Sequence, residues 1–422
     1  MALDVHEIRS RFPGLARMGE DGKPIVFADA PGGSQVPESV IEAMARYLRT
    51  SNTNAHGAFV TSHETDALIE EARRAGADVT GADPDEIVFG PNATSLLFSL
   101  SRAFARTLKP GDEVVVTRLD HDANVRPWML AAEDAGATVR WFDVREDDVT
   151  LDLDSLDSVL SDRTRLVAFT LASNAVGTIP PAAEIIRRAH AAGALVAVDA
   201  VHLAQHRSLD ARAIEADILA CSPYKFFGPH LGMLAVRREL LEQWTPYKLR
   251  AAPDTVPARW ETGTQNHEGL AGLVAAVEYL ADVGRSAGGE PAERTRRAVV
   301  VAAFEAIGEH ERSLSLRFLD GLGSVPGARL WGIADPERTH ERTPTFAIRL
   351  GDLPPEKVAA ELGSRGIHVW DGHYYAITIM ERLGLLESGG AVRVGFCHYH
   401  SAGEVDRVVE TLAAVGSIAR PS

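Results

Sequence analysis

The sequence predicts an α/β protein built on a largely parallel sheet and followed by a smaller α+β lobe. Three observations predict it. Short β-type runs alternate with helical segments through the middle of the chain, the pattern of strand–helix–strand units. Several of those runs are apolar throughout, as expected of strands covered on both faces. After Gly269 the alternation gives way to long helices and more widely spaced strands.

In chain order, EIVF (Glu86–Phe89) reads as a strand and leads into the helical TSLLFSLSRAFAR. EVVVTRL (Glu113–Leu119) reads as the next strand, ahead of a helix containing WMLAAEDAG. TVRWFDV and RLVAFTLAS follow as strands, then the helix AAEIIRRAHAAG, then the strands LVAVDAV, DILACS and GMLAVRR. LAGLVAAVEYLADV reads as a long helix ended by the loop RSAGGEPAE. A second helix, the strand TPTFAIRL, the helix PPEKVAAELGSRG, the strands IHVW and AVRVGFCHY, and a final helix GEVDRVVETLAAV make up the lobe. The expected division is a large domain over 23–285 and a small domain formed by 1–22 and 286–422.

Composition narrows the function classes. The chain has 422 residues, 45% of them hydrophobic and 24% charged, which is ordinary for a soluble globular protein. A formal charge of −16 argues against a nucleic-acid partner and against docking on an anionic membrane. No apolar run approaches the roughly 20 residues that span a bilayer. The opening MALDVHEIRSRF lacks a secretory pattern. Two cysteines, Cys221 and Cys397, form no disulfide framework. The expected location is the cytoplasm.

Several motifs carry little. Gly321-Leu-Gly323 ends a helix instead of following a strand, so it reads as a helix C-cap and turn. FCHYHS (Phe396–Ser401) would put His398 and His400 on one face of a strand, but no carboxylate or thiolate set accompanies them. They read as structural or substrate-facing, and no metal site is expected.

The informative residues stand at strand ends. The chain has only five lysines against 38 arginines, and four of the five sit in turns or polar helical contexts. Lys225, in CSPYKFFGPHLG, follows the apolar run DILA. Ligands of open α/β sheets bind outside the C-terminal ends of the strands. GPNATS at such an end opens a helix whose first N–H groups, with the Thr94 and Ser95 hydroxyls, suit a phosphate. His121 in RLDHDAN, Asn174 in LASNAVG, and Asp199 and His202 in LVAVDAVH end other strands. A phosphate anchor, a flat stacking group, a carboxylate and an amine are the four requirements of pyridoxal phosphate. The lysine binds its carbonyl carbon and the carboxylate pairs with the pyridine nitrogen.

With these motifs the chain resembles the class V aminotransferase family, in the branch of cysteine desulfurases and selenocysteine lyases. FADAPGGSQVP, NTNAHG, NATS, LDHDANVRPW, VDAVH, YKFFGPH and AVRVGFCHYHSAGEVDRVV carry the resemblance over nearly the whole chain. It implies the fold type I architecture of pyridoxal-phosphate enzymes, with a mostly parallel seven-stranded sheet in the large domain. It also implies roles at matching positions. Lys225 would hold the cofactor covalently, Asp199 would pair with the ring nitrogen and His121 would stack on the ring. Asn174 and His202 would lie near the phenolic oxygen; the desulfurases carry glutamine where His202 stands. Ala93, Thr94, Ser222 and Tyr224 would hold the phosphate; the desulfurases usually carry histidine at the Tyr224 position. Thr264, in ETGTQN, would reach the phosphate of the neighbouring subunit, implying a homodimer. Arg393 would clamp the carboxylate of an amino-acid substrate, with Asn174 beside it.

One departure decides the expected activity. The loop on which desulfurases of this branch carry a sulfur-accepting cysteine matches HVWDGHYYA (His368–Ala376), with Tyr375 where the cysteine would fall. A tyrosine forms no persulfide. The expected reaction is therefore β-elimination on an L-cysteine S-conjugate, releasing a thiol, pyruvate and ammonia, in sulfur or secondary metabolism such as antibiotic biosynthesis. Trp370, His373, Tyr374 and Tyr375 would line a pocket for the S-substituent, and His121 or a pocket tyrosine would protonate the leaving sulfur. The alternatives are an aminotransferase, an epimerase or a decarboxylative oxidative deaminase acting on a specialised amino acid. A non-catalytic relative is the reading from another class, and a missing cofactor chromophore would favour it.

Overall fold

The computed structural model describes residues 3–288 and 295–418. Seven strands form the main sheet: β1 (Ile87–Gly90), β2 (Glu113–Thr117), β3 (Thr138–Phe142), β4 (Thr164–Thr170), β5 (Leu195–Asp199), β6 (Ile218–Cys221) and β7 (Gly232–Val236). Their spatial order is β1-β7-β6-β5-β4-β2-β3. β2 to β6 pair in parallel where they touch, and β7 runs antiparallel to both β1 and β6. β4 and β5 are buried at nearly every position because helices cover both faces. Each such Val, Leu or Phe contributes roughly 2 kcal/mol of burial. β3, at the sheet edge, alternates exposed and half-buried residues instead.

Register gathers the strand ends. Thr170 of β4 pairs with Asp199 of β5, and Asp199 pairs with Ala220 of β6. The segments carrying Ala172, His202 and Ser222 therefore leave the sheet side by side. β7 runs the other way, so its first residue, Gly232, reaches the same edge as Gly90, the last residue of β1. A β-carbon on Gly232 would lie 2.2 Å from the Asn92 carbonyl carbon, so only glycine lets the turn before the helix Ala93–Ala105 seat there.

The smaller lobe holds a second, antiparallel sheet of β8 (Ala328–Trp331), β9 (Thr345–Leu350), β10 (Trp370–Gly372) and β11 (Ala391–Gly395), in the order β10-β11-β9-β8. Phe318, Phe346 and Phe396 form the heart of its core, with rings 4.4 Å apart for the first pair. The N-terminal segment joins both lobes. Ile8 and Phe12 pack in the cluster under the main sheet, whereas Val26 and Ala28 lie in the core of the smaller lobe, past the position 23 at which the large domain is expected to begin. No helix among the described residues is long and apolar enough to cross a membrane.

Three expectations change. The helix His267–Gly288 continues through the first residues of RSAGGEPAE, and the rest of that stretch lies outside the described residues. IHVW does not form the expected strand: Ile367 bridges to Val26, and β10 begins only at Trp370. FCHYHS is not strand either, since β11 stops at Gly395. His398 and His400 turn into the core instead of sharing a strand face. His398 Nε2 meets the Tyr279 hydroxyl at 2.6 Å, and His400 bonds the Cys397 N–H and the Phe27 carbonyl. Both are structural, and no cluster of three metal-ligating side chains occurs among the described residues. Gly321-Leu-Gly323 ends the helix Arg296–Leu322, as expected, with Gly323 as its cap.

Candidate active site

A cleft of about 490 Å³ opens at the gathered strand ends, and its far wall comes from the smaller lobe. The residues singled out from sequence for the cofactor and substrate border it, except Thr264 and Ser95. Thr264 is exposed on the segment after Glu261, which Arg73 anchors with a buried ion pair of 2.7 Å.

Lys225 ends a tight turn, Pro223–Lys225, directly after β6, and is buried. Its Nζ donates to the Pro31 carbonyl and lies 4.9 Å from the Tyr224 ring centre. Burial, with the nearby Arg393 charge, pushes its pKa down to about 7. Asp199, the last residue of β5, accepts from the Val201 N–H at 2.8 Å. Burial pushes its carboxyl up to about 6. These two groups give the floor of the cleft one amine and one carboxyl that both titrate near neutrality.

His121 stands at the end of the β2 segment. Its Nδ1 accepts the Ala123 N–H at 3.0 Å, so the ring proton sits on Nε2. Burial, then Lys225 and Arg393, push it down to about 4, and the imidazole is neutral at pH 7. Its ring stacks on Tyr375 at 5.5 Å and 25°. His202 is fully buried, with Nε2 at 2.9 Å from the Thr345 hydroxyl and 3.2 Å from that of Thr343. Burial holds it well below the ordinary histidine range.

The phosphate-suited corner is the start of the helix Ala93–Ala105. Asn92 caps it by accepting the Ser95 N–H at 2.8 Å, leaving the Ala93 and Thr94 amides at the cleft. Ser222 and Tyr224 complete the corner; the Tyr224 ring stacks on His230 at 5.0 Å.

Arg393, on β11, supplies the wall opposite. Its Nη1 donates to the Asn174 carbonyl at 2.9 Å, and the guanidinium lies 4.4 Å over the Tyr374 ring. It is buried, and no carboxylate among the described residues pairs with it. Burial lowers its pKa to about 10, which still leaves it charged. The loop His373–Ala376 closes this side. Tyr374 and Tyr375 both take left-handed backbone, with φ of 53° and 57°. Such conformations cost roughly 1–2 kcal/mol each and persist only where the surroundings hold them. The holders are bonds to the loop's main-chain carbonyls: the Asp122 N–H donates to the Tyr375 carbonyl at 2.7 Å, and the Asn174 side-chain Nδ2 donates to the Tyr374 carbonyl at 2.9 Å. The Tyr374 hydroxyl donates to the Ala391 carbonyl. Trp370 stands at the rim, its indole nitrogen 2.8 Å from where a β-carbon on Gly32 would be.

The expected cofactor fits. Asn174 Oδ1, His202 Nδ1 and Arg393 Nε are buried polar atoms without partners, and all three residues line the cleft. Buried polar atoms are rarely left so, and the polar groups of a bound cofactor and substrate would give these three partners.

The sequence did not single out Asp29 and Asp120. Asp29, in FADAPGG, lies near Arg393 and Lys225, and burial raises its pKa. Asp120 lies buried directly beneath His121 in the same RLDHDAN stretch, and that adjacency was the available signal.

A family model described as Aminotransferase class-V matches residues 26–408. A probable cysteine desulfurase of Streptomyces coelicolor is 33% identical over 434 residues, covering 98% of this chain and 97% of that protein. Among solved structures, the apo cysteine desulfurase of Thermococcus onnurineus is similar with a TM-score of 0.86 at 26% identity, covering 99% of each chain. A cysteine desulfurase of Escherichia coli, bearing an S-sulfonic acid, has a TM-score of 0.83 at 26% identity and covers 99% of this chain and all of that one.

Proposed function

This chain belongs to the class V aminotransferase family, and from that premise we propose that it is a C–S lyase acting on an L-cysteine S-conjugate. It is an enzyme dependent on pyridoxal 5′-phosphate, like the family as a whole. The observation that carries the finer reading is the fate of sulfur chemistry in the cleft. Cys221 and Cys397 are both fully buried and neither borders the cleft, while Tyr375 and its tethered loop stand over it. Burial also pushes both thiols up, away from the reactive thiolate.

Bound pyridoxal phosphate supplies an electron sink for the substrate α-carbon. This chain's residues do the rest. The Ala93 and Thr94 amides, with Ser222 and Tyr224, hold the phosphate. Asp199 holds the positive charge at the ring nitrogen, and His121 lies against the ring. Arg393 binds the substrate carboxylate with a guanidinium that no carboxylate among the described residues pairs with. Lys225, once free, takes the Cα proton on Nζ. The Cβ–S bond then breaks with its electron pair on sulfur, and the Nζ proton moves to the thiolate. The released 2-aminoacrylate takes up water to give pyruvate and ammonium.

For the proton on sulfur we favour Lys225 over His121 and Tyr374, and Tyr375 stays as the alternative donor. His121 is neutral well above its lowered pKa of about 4. The Tyr374 hydroxyl is already bonded to a carbonyl, and burial raises its pKa. Thr264, exposed outside its own cleft, supports a homodimer in which it completes the neighbouring site.

Given a panel of cysteine S-conjugates and free cysteine, the enzyme is expected to release pyruvate from a conjugate and no sulfide from cysteine. Sulfide from cysteine with protein persulfide would overturn the reading. A spectral change without pyruvate would favour transamination or decarboxylation.

The Lys225 base also sets a pH dependence. It must be neutral to act, so kcat is expected to fall as pH drops through about 7. Below that midpoint the loss approaches about tenfold per pH unit. A kcat flat from pH 8 to 5.5 would remove Lys225 from that role.

A further inference from the structure

The turn that presents His121 is built on a buried polar chain. Asp120, Asn124, Trp128 and Thr117 are all buried to within about 1%. Trp128 Nε1 donates to Asn124 Oδ1 at 3.1 Å, and Asn124 Nδ2 donates to Asp120 Oδ1 at 2.7 Å. The other Asp120 oxygen accepts from the Thr117 hydroxyl, which itself accepts the Leu119 N–H at 3.0 Å. The backbone N–H of Asn124 donates to the His121 carbonyl at 2.9 Å. Asn124 thus grips the turn from both sides, through its main chain to His121 and its side chain to Asp120. Trp128 fixes the far end in the core, edge-on to Phe104 at 5.8 Å. The turn that results aims His121 into the cleft and presents the Asp122 N–H to the Tyr375 carbonyl.

We propose that Asp120 is a positioning residue for the cofactor pocket, acting through the turn it shares with Asn124 and Trp128 to hold His121 against the cofactor ring. A solvated turn of sequence DHDAN has many conformations. This one has a buried carboxyl bonded at both oxygens, with the turn's two ends, Thr117 and Trp128, tied through it. Such a network is worth more for the geometry it specifies than for net stability. Burial, with the Asp199 charge nearby, pushes Asp120 up to about 8. A neutral carboxyl is matched in shape by asparagine, which keeps the acceptor for Asn124 and meets the Thr117 oxygen with an amide donor once that hydroxyl turns its own proton away. Position, not charge, is what Asp120 supplies.

The inference rests on the placing of His121 beside the ring given above, and the test separates the two. The visible circular dichroism of the bound cofactor and its dissociation constant are measured on holoenzyme, alongside turnover and thermal midpoint. Asp120→Ala is expected to weaken the cofactor dichroism at least threefold and raise the cofactor Kd at least tenfold. Asp120→Asn is expected to stay within about threefold of wild type on every readout. Trp128→Phe, which removes one donor and keeps the packing, is expected to lower the dichroism in the same direction with the thermal midpoint held, and it stands in if Asp120→Ala does not fold. Unchanged dichroism and Kd in Asp120→Ala, or in Trp128→Phe, would overturn the inference. So would an Asp120→Asn protein as impaired as Asp120→Ala, since charge would then be the requirement. If His121→Ala leaves the dichroism unaltered, the stacking role of His121 falls, and Asp120 has nothing to position.

Discussion

Lys225→Ala protein is expected to lose turnover by about 10⁴-fold or more, while keeping its fold and its affinity for the phosphate end of the cofactor. The size follows from the two duties assigned to one nitrogen. In the proposed reaction Lys225 takes the Cα proton and returns it to sulfur, and loss of a positioned acid–base group alone costs about 10²- to 10⁴-fold. Among the described residues no other amine lines the cleft to substitute for it. The fold should survive because the ammonium makes only one hydrogen bond, to the Pro31 carbonyl. Removing a buried, desolvated amine relieves a cost as well as losing a contact. The measurement is pyruvate release together with the visible absorption of the bound cofactor. A variant that turns over within tenfold of wild type, with the lysine-linked absorption gone, would show that another group moves the proton.

Arg393→Leu is expected to lower kcat/KM roughly 10²- to 10³-fold, mostly through KM, with the absorption of the bound cofactor unchanged. Truncating one side of a desolvated charge pair typically costs 2–5 kcal/mol, much of it from the stranded partner. Here the stranded partner would be the substrate carboxylate. The split between KM and kcat identifies the role, because a group that meets only a non-reacting end of the substrate acts in ground state and transition state alike. Arg393→Lys should recover only part of the loss, since an ammonium cannot offer the two parallel donors of a guanidinium. Equal loss with a substrate analogue lacking the carboxylate would mean that Arg393 supports the wall through Asn174 and Tyr374 and does not bind substrate.

Much of the fold was legible because its signals are local. Apolar runs such as RLVAFT and LVAVD bury both faces, and a polar residue at the end of such a run has few reasons to be there apart from a ligand. That logic picked out Asp199, Lys225, His121 and Asn174, which the fold brings to one cleft. It failed where distant segments decide. Ile367 is taken by Val26, so the strand expected at IHVW starts three residues late. His398 and His400 alternate like a strand, but their partners are Tyr279 and Phe27, far away in sequence. In sequence Asp120 looks like Asp122, and only its place beside His121 sets it apart. Its burial is set by Trp128 and Thr117 folding around it.

The tethered loop over the cleft has a consequence for how readily the protein can change what it accepts. The bonds that hold the loop reach the carbonyls of Tyr374 and Tyr375, groups that every amino acid shares. The Tyr375 side chain is 66% exposed, and its ring contacts are with His121 and His373. The wall is therefore separable into a frame, set by main chain, and a facing, set by one replaceable side chain. Glycine, asparagine or another residue tolerant of left-handed backbone can re-face the entrance without disturbing the frame, whereas valine or isoleucine would meet steric resistance. If Tyr375 faces the substrate as proposed, a lineage carrying this scaffold can drift in substrate range by single codon changes at position 375 while the residues beneath stay fixed.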